Sequence, residues 1–230
     1  MPFTYEFPRP SVTVDVALFA IVAGELAVLL VKRKHAPFAG AWAMPGGFVD
    51  EDERLAAAAL RELEEETSVK HVTIEQLGAF GDPGRDPRGH TVSVVFVGFA
   101  SAEAHPVQAG DDAATAAWHP VRKLAARGRG APKLAFDHAT ILPLALDRLR
   151  HALRDPDEHP VARALLPPRF TMRELARVFE AVLGSAARAK ALLAYVRTQK
   201  LLEPVGRPRG RSASRASQLH RWGRRRANAR

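Results

Sequence analysis

The 230-residue sequence contains no cysteine, which excludes disulfide bonds and zinc sites built on cysteine. It also lacks long apolar runs. The two longest, Val16–Ala23 and Leu26–Val31, fall well short of the roughly 18–20 residues that a membrane-spanning helix requires. The N-terminus has no basic segment followed by an apolar one, so no signal peptide is predicted. These absences together predict a cytoplasmic protein that makes no membrane contact.

Acidic residues are almost absent from the end of the chain. Residues 184–230 hold thirteen Arg or Lys and a single acid, Glu203, which gives this segment a formal charge of +12. Because the whole chain carries +9, residues 1–183 carry −3. A mildly acidic body with a strongly basic end favours a polyanionic partner, nucleic acid in particular. The alternative is a disordered extension whose charge serves only solubility.

The first half of the chain shows patterns typical of strands. Ser11–Ala20 and Leu26–Val31 are rich in aliphatic residues and are separated by Gly24 and Glu25, which predicts a hairpin of two long strands. Pro37–Gly47 is predicted to be a loop. Further strands are predicted over Val72–Phe80, Thr91–Phe99 and Thr115–Trp118.

Two helices are predicted in the same half. Glu53–Thr67 is the clearer one, and Asp52 is a candidate N-cap. Its apolar face comes from residues at three- and four-residue spacings, namely Ala56, Ala59, Leu60 and Leu63. Asp137 is predicted to cap a second helix over His138–Leu153.

Composition changes after residue 153. Residues 154–168 combine acids, prolines and turn formers and are interpreted as a linker. Thr171 and Glu174 then have the spacing of a capping box, which starts a helix. The two helices predicted here span Met172–Leu183, ending at Gly184, and Ala187–Lys200. The Arg-rich remainder, Glu203–Arg230, is interpreted as a basic hairpin, a flexible tail or both. The predicted divisions are therefore 1–153, 154–168 and 169–230.

Glu62, Glu65 and Glu66 place three carboxylates on one side of the first helix, at spacings of three and four residues. Like charges at these spacings destabilise an isolated helix by a few tenths of a kcal/mol per pair. A hard cation that prefers oxygen ligands would explain the cluster. A solvated acidic face is the alternative.

The spacing around these carboxylates is more specific. Gly47 is followed by five residues and Glu53, and then by seven residues and the run Arg61–Val69, which reads RELEEETSV. This pattern resembles the Nudix box, G-x5-E-x7-R-E-U-x-E-E-x-G-U with U aliphatic. Only Ser68 departs from it, because the family has glycine there.

The resemblance implies an α/β fold, with an N-terminal α/β/α sandwich built on a mixed sheet. It further implies that Glu62, Glu65 and Glu66, together with Gly47, hold Mg²⁺ (or Mn²⁺) on a bound diphosphate. Such an ion would neutralise phosphate oxygens and activate a water molecule. Glu53 and Arg61 complete the implied catalytic set as a supporting pair.

Ser68 bears on the turn that follows this helix. If the position requires a positive φ, a residue other than glycine costs on the order of 1 kcal/mol. The strain would fall next to Glu65 and Glu66. We therefore expect metal binding to survive, with hydrolysis the more sensitive of the two.

Stretches outside the box resemble the ADP-ribose branch of the same family: residues 8–15 (PRPSVTVD), 30–33 (LVKR) and 81–89 (GDPGRDPRG). Arg33, Arg85, Arg88 and the backbone at Gly46 are candidate contacts for the ligand phosphates. For each arginine the alternative is a surface ion pair.

Aromatic residues are less informative. Trp42 and Phe38 have the chemistry to stack on adenine, but packing beneath the Pro-Gly-Gly turn is the favoured interpretation for Trp42. Phe48 and Trp118 are predicted to lie in the core. The nine histidines show no spacing typical of a metal site and are interpreted as ordinary residues.

The second half of the chain also resembles a known family. Residues 165–184 (LLPPRFTMRELARVFEAVLG) and 201–204 (LLEP) resemble the small C-terminal winged helix of the Nudix-related transcriptional regulators, which are repressors of NAD-biosynthesis genes that sense ADP-ribose. The resemblance implies that the second helix enters a DNA major groove. The implied DNA-binding residues are Arg188, Lys190, Arg197, Lys200, Arg207, Arg209 and Arg211, with Arg215 also near phosphate. The alternative is a dimerisation or capping domain with a solvated basic face.

Three functions follow from these patterns. The first is a homodimeric regulator of NAD metabolism that binds ADP-ribose, or a related nucleotide, in one domain and an operator in double-stranded DNA through the other. The second is an ADP-ribose pyrophosphatase that produces AMP and ribose 5-phosphate. The third is an RNA-directed Nudix enzyme, which only the charge supports.

Overall fold

The computed structural model describes residues 6–102, 113–125, 132–153, 164–206 and 218–223. Most of the N-terminal part is a seven-stranded sheet in the order β3-β2-β1-β6-β5, with β4 paired to β1 and β7 paired to β2. Among the paired strands of the described residues, β1 and β6 run parallel and the others antiparallel, which confirms the predicted mixed sheet. The strands are β1 (Ser11–Val22), β2 (Glu25–Arg33), β3 (Trp42–Ala43), β4 (Gly46–Phe48), β5 (Thr73–Phe80), β6 (Thr91–Phe99) and β7 (Ala113–Pro120).

The first two strands form the predicted hairpin. Ala23 and Gly24 make the turn, both with positive φ (50° and 82°), which matches the twist of the two strands. Residues 13–20 of β1 are all buried, because both faces of the sheet are covered. The predicted loop over Pro37–Gly47 holds β3 and the start of β4.

Helices cover the two faces of this sheet. The helix α1 (Leu55–Thr67) places Ala58, Ala59 and Leu63 against Val14, Val16 and Leu18 of β1. The helix α2 (Val121–Ala125) follows β7, and α3 (His138–Ala152) lies on the opposite face. There its buried residues share a cluster with Ala17 and Phe19, which alternate with the α1-facing residues of β1. The predicted three-layer sandwich is therefore confirmed.

The starts of α1 and α3 differ from expectation. Asp52 is not the N-cap of α1: it has a positive φ of 61°, and Arg54 takes the N-cap position without a side-chain hydrogen bond. The Glu53 carboxylate accepts hydrogen bonds from Arg61 and from the Asp50 amide. These side-chain hydrogen bonds, rather than an N-cap, stabilise the turn before α1. Asp137 is the N-cap of α3, but its carboxylate binds Arg85 instead of the helix amides.

The C-terminal part is a small winged helix. Its elements are β8 (Phe170–Thr171), α4 (Met172–Leu183), α5 (Ala186–Thr198), β9 (Leu202–Gly206) and β10 (Leu219–Trp222), with an antiparallel sheet in the order β8-β10-β9. The predicted capping box is present: the Glu174 amide donates to Thr171 Oγ1 at 3.2 Å, and the Thr171 amide donates to Glu174 Oε2 at 2.6 Å. Gly184 ends α4 with a φ of 62°.

One hydrophobic cluster joins the two parts. It runs from β1 through Ile141 and Leu149 of α3 to Phe179 of α4 and Val196 of α5. Leu165 and Leu166, from the end of the predicted linker, are buried in it. Residues 154–163 of that linker, together with Arg207, Arg209, Arg211 and Arg215, lie outside the described residues. Among the described residues, no helix is both long enough and apolar enough to cross a membrane.

Candidate functional site

The three carboxylates of α1 face the same side but do not converge. Glu62 is mostly buried, Glu65 is exposed, and Oε2 of Glu66 accepts a hydrogen bond from the Gly46 amide at 3.0 Å. No group of three or more such ligands among the described residues is arranged around one point. A cation bound at this helix would therefore have to draw the carboxylates together.

Arg61 binds three acidic side chains in and next to this helix. Its guanidinium binds Glu53 through two hydrogen bonds of 2.9 and 2.8 Å, and it also donates to Glu62 at 2.8 Å and Glu65 at 3.2 Å. A further bond of 3.1 Å reaches the Phe48 carbonyl. The hydrogen bonds from Arg61 hold the pKa of Glu53 below its ordinary value. The supporting Glu53–Arg61 pair is thus present.

Glu66 is the most perturbed of the carboxylates. Burial, reinforced by the charges of Glu62 and Asp15, raises its pKa to about 8, although the Gly46 amide opposes the shift. Burial also raises the pKa of Glu62, against the effect of Arg61. Carboxylates that burial disfavours in their charged form are stabilised by a cation. Their oxygen chemistry fits a hard divalent ion, which prefers such ligands.

Two glycines bring backbone against this helix. A β-carbon at Gly47 would lie only 2.4 Å from Oε1 of Glu62, so any larger residue would fill the space where the carboxylate sits. At Gly46 a β-carbon would lie 2.1 Å from the Val14 carbonyl oxygen. Both positions therefore leave no room for a side chain, and the approach of their backbone to metal and phosphate stays a prediction.

Ser68, which replaces the glycine of the Nudix box, has a positive φ, the conformation in which a residue with a side chain is strained. Its φ is 61° and it is the C-cap of α1, with its amide donating to the Glu64 carbonyl at 2.8 Å. The helix keeps its last turn, so the strain of about 1 kcal/mol expected for a left-handed residue with a side chain does not unwind the segment that carries Glu65 and Glu66.

A buried polar group lies beneath the glycine loop. Asp15 accepts a hydrogen bond from Ser93, and its Oδ1 lies 3.4 Å from Nε2 of His138. Nδ1 of His138 accepts from the Met44 amide at 3.0 Å, which places the ring proton on Nε2, facing Asp15. Burial alone would raise the pKa of Asp15, but His138, Ser93 and Arg85 lower it.

Sequence reasoning missed both Asp15 and His138. Asp15 carried a usable signal, because it is a charged residue inside an otherwise aliphatic strand. His138 carried none, since the polar partners of its side chain, Met44 and Asp15, lie 94 or more positions away in the chain.

The predicted arginines are distributed unequally. Arg85 is almost completely buried and binds Asp137 through bonds of 3.0 and 2.7 Å, with Asp15 at 3.8 Å. Arg88 binds Asp86 at 2.7 Å. The Arg88 guanidinium is partly exposed, so this pair resembles the surface ion pair of the alternative interpretation, whereas the pair that Arg85 forms is buried. Nε of Arg33 donates a hydrogen bond to the Pro37 carbonyl at 2.8 Å. Burial and the nearby charge of Arg88 lower the pKa of Arg33.

Arg33 lies between two adjoining cavities of about 150 and 120 Å³. Both cavities are lined by Asp15, Arg33, Gly46 and Phe136, and Glu66 lines the larger one. The Phe136 ring lies beneath the Arg33 guanidinium, 4.9 Å from ring centre to Cζ. The space beside the acidic helix therefore has a cation, backbone amides and an aromatic wall.

The aromatic residues Phe48, Trp42 and Trp118 lie in different environments. Phe48 is not in the core: it is 47% exposed and lines the smaller cavity, with the Arg88 guanidinium 5.2 Å from its ring centre. Trp42 packs edge-on against His119 of β7, with 4.2 Å between the ring centres, and its predicted place beneath the Pro-Gly-Gly turn stays a prediction. Trp118 packs against the α1 side of the core.

The winged helix presents α5 as a basic surface. Ala189, Leu192 and Val196 are buried, which leaves the opposite face exposed. A stripe of small residues runs along the centre of that face: Ala187, Ala191, Ala194 and Thr198. Lys190 and Arg197 lie on one flank of the stripe and Arg188 on the other, by the helical period of 3.6 residues. Lys200 follows the helix and is also exposed.

Comparison with known proteins matches this two-part architecture. The NUDIX domain model matches residues 12–144, and the NrtR DNA-binding winged helix domain model matches residues 162–222. The chain is 32% identical to an ADPR-responsive transcriptional repressor of Acinetobacter baylyi, over 94% of this chain and 84% of that protein. The chain belongs to the NrtR family of Nudix proteins.

Two further relatives illustrate the two halves of the NrtR family architecture. The structure of Shewanella oneidensis NrtR with a 27mer DNA has 33% identity and a TM-score of 0.74, covering 92% of this chain and 93% of that one. The Nudix domain of the same protein, solved with ADP ribose, has 37% identity and a TM-score of 0.57, covering 62% and 90%. An ADP-ribose pyrophosphatase of Methanocaldococcus jannaschii is 40% identical over 58% of this chain and 72% of that protein.

Proposed function

We propose that this protein is a transcriptional repressor that releases operator DNA when its Nudix domain binds ADP-ribose. The observation that carries the proposal is that a Nudix pocket and a basic winged helix occur in one chain, whose similarity to NrtR proteins extends over both. The family similarity to a repressor also favours repression over activation. We place its action in the cytoplasm, as a homodimer, because winged-helix and related regulators read twofold operators as dimers.

The ligand would occupy the two cavities beside α1. Glu62, Glu65 and Glu66, with the Gly47 backbone, would hold Mg²⁺ or Mn²⁺, which when bound neutralises phosphate oxygens. Arg33 and the Gly46 backbone face the same space and would contact the diphosphate. Phe136 and Phe48 offer flat apolar surfaces for a base or ribose. Arg85 and Arg88 shape this wall through their ion pairs.

DNA would bind along the exposed face of α5. Small residues at the centre of this face let the helix approach the base edges closely in the major groove. The cations on the flanks, Lys190 and Arg197 on one side and Arg188 on the other, are spaced to meet phosphates on the two sides of the groove. Phosphate neutralisation of this kind supplies much of the affinity for DNA.

The test measures fluorescence anisotropy with DNA fragments taken from upstream of the protein's own gene and its neighbours. ADP-ribose with Mg²⁺ is expected to weaken binding by about 5- to 150-fold, the usual range of coupling between two sites. Lys190→Ala is expected to weaken binding and to reduce the slope of log K against log salt by about 0.9, because one phosphate contact is lost. Lys123→Ala, the same change in an exposed lysine of α2, is the matched control and leaves both quantities unchanged.

Two results would contradict the repressor. Failure to bind any such fragment at low salt would remove the DNA half of the proposal. Binding that ADP-ribose leaves unchanged would remove the sensing half.

A second candidate, ADP-ribose hydrolysis, is favoured by the intact carboxylates and by the similarity to a pyrophosphatase. If the domain hydrolyses ADP-ribose with Mg²⁺, Glu66→Gln is expected to lower the rate of AMP and ribose 5-phosphate formation by at least about 100-fold, since it removes one charge from the metal-binding set. Glu64→Gln is the control, because Glu64 is exposed on the same helix and pairs with Lys70. Absence of turnover by the wild-type protein would reject this candidate and leave the repressor proposal intact.

A further inference from the structure

One helix touches both the candidate pocket and the winged helix. The N-terminal end of α3 lies beneath the glycine loop, and its C-terminal end lies against α4. At 15 residues it spans about 22 Å, at 1.5 Å per residue. It is therefore a continuous element between the two regions whose coupling the proposed function requires.

The pocket end of α3 is fixed by polar contacts to the loop that carries the glycines. His138, the first residue of the helix, accepts a hydrogen bond from the Met44 amide, two residues before Gly46. Asp137, just before it, holds Arg85 through two hydrogen bonds. Met44 and His138 both line the larger cavity, and Arg85 lines the smaller one. A ligand that moves this loop therefore also moves the start of α3.

The other end of α3 is fixed to the winged helix. Nε of Arg150 donates to the Val182 carbonyl at 3.2 Å, and Nη1 of Arg150 also binds Asp147 at 3.1 Å. Val182 is among the last four residues of α4, whose carbonyls lack partners within the helix and carry the negative end of its dipole. A cation at this point is thus both hydrogen-bonded and electrostatically favoured. Leu149 of α3 and Phe179 of α4 share the buried cluster alongside it.

We propose that α3 transmits occupancy of the nucleotide pocket to the DNA-binding helices, and that the Arg150–Val182 contact is the point of transmission. The inference rests on the proposed function and adds its physical route. Arg150 is a positioning residue: it contacts neither cavity, and it lies on a different helix from the DNA-facing residues. Since α4 packs directly against α5, displacement of its C-terminal end changes the placement of the basic face.

The test compares Arg150→Ala with Arg148→Ala. Arg148 lies on the same helix and is similarly exposed, but it pairs with Glu75 of β5, inside the Nudix domain. The measured quantity is the ratio of DNA dissociation constants with and without saturating ADP-ribose. Arg150→Ala is expected to reduce this ratio by about fivefold or more, whereas the affinity of the DNA-free protein for ADP-ribose stays within about twofold. Arg150→Lys, which keeps a cation at the helix end, is expected to retain most of the ratio.

Reciprocity supplies a second readout. DNA must weaken ADP-ribose binding by the same factor by which ADP-ribose weakens DNA binding, so calorimetric titration of the DNA complex should show the same loss in Arg150→Ala. An unchanged ratio in folded Arg150→Ala, or an equal fall in Arg148→Ala, would overturn the inference. Either result leaves the proposed function standing, because that function fails only if the wild-type protein shows no DNA binding or no response to ADP-ribose.

Discussion

Gly46→Ala is expected to lower the free energy of unfolding by about 3 kcal/mol or more, as measured by urea denaturation. The new β-carbon would lie 2.1 Å from the Val14 carbonyl oxygen and 2.9 Å from the Asp15 α-carbon. Both neighbours are backbone atoms of β1, which is paired to β4 at this position and to β6 on its other side. The strand has no freedom to move away, so the clash must be relieved by breaking the pairing that holds the glycine loop.

Gly47→Ala is the matched control. Its β-carbon would meet the Glu62 carboxylate at 2.4–2.6 Å, which is the end of a side chain rather than backbone. We expect a loss of stability below about 1 kcal/mol, together with a large loss of affinity for Mn²⁺, because Glu62 is displaced. Equal stability of the two variants would contradict the assigned role of Gly46.

Arg85→Ala is expected to lower the free energy of unfolding by about 3–5 kcal/mol, the usual cost of removing one partner of a buried ion pair. The Arg85 side chain is only 5% exposed, and its removal would leave Asp137 without its two hydrogen bonds and Asp15 without a nearby cation. Arg122→Ala provides the comparison. Arg122 and Glu25 form an ion pair in which both side chains are exposed, so Arg122→Ala is expected to lower the free energy of unfolding by less than about 1 kcal/mol.

The same variant separates two roles for Arg85. The sequence suggested a contact to the ligand phosphate, whereas the structure commits the guanidinium to aspartates beneath the pocket. If Arg85→Ala proves as stable as the wild-type protein while ADP-ribose affinity falls by a factor of ten or more, the residue binds ligand directly and its structural role is wrong.

Local signals in the sequence predicted much of the fold. The β1–β2 hairpin and the Thr171–Glu174 capping box depend on residues a few positions apart, and both are present, although the turn lies at Ala23 and Gly24 rather than at Gly24 and Glu25. The apolar face predicted for α1 is half right: Ala59 and Leu63 are buried, whereas Ala56 and Leu60 are exposed and Ala58 takes their place against the sheet. The Glu53–Arg61 pair was also accessible, because it lies within one motif.

The parts that could not be predicted depend on distant contacts. Asp137 has the sequence of a helix cap, but a buried arginine 52 positions away competes for its carboxylate and wins. Phe48 has the composition of a core residue, but β4 is a short strand at the mouth of the site, and its third residue faces outward. The position of His138 beneath Met44 likewise depends on how α3 returns to the sheet.

The cluster that joins β1, α3 and the winged helix has a consequence for how long the protein persists in the cell. Two domains that share one core are expected to unfold together as a single cooperative unit. A nucleotide that binds only the folded N-terminal domain shifts that equilibrium by RT ln(1 + [L]/Kd), and the shared core extends this protection to the winged helix. Proteolysis acts on the unfolded population. Under the proposed function, the supply of ADP-ribose would thus set the abundance of the protein as well as its occupancy of DNA.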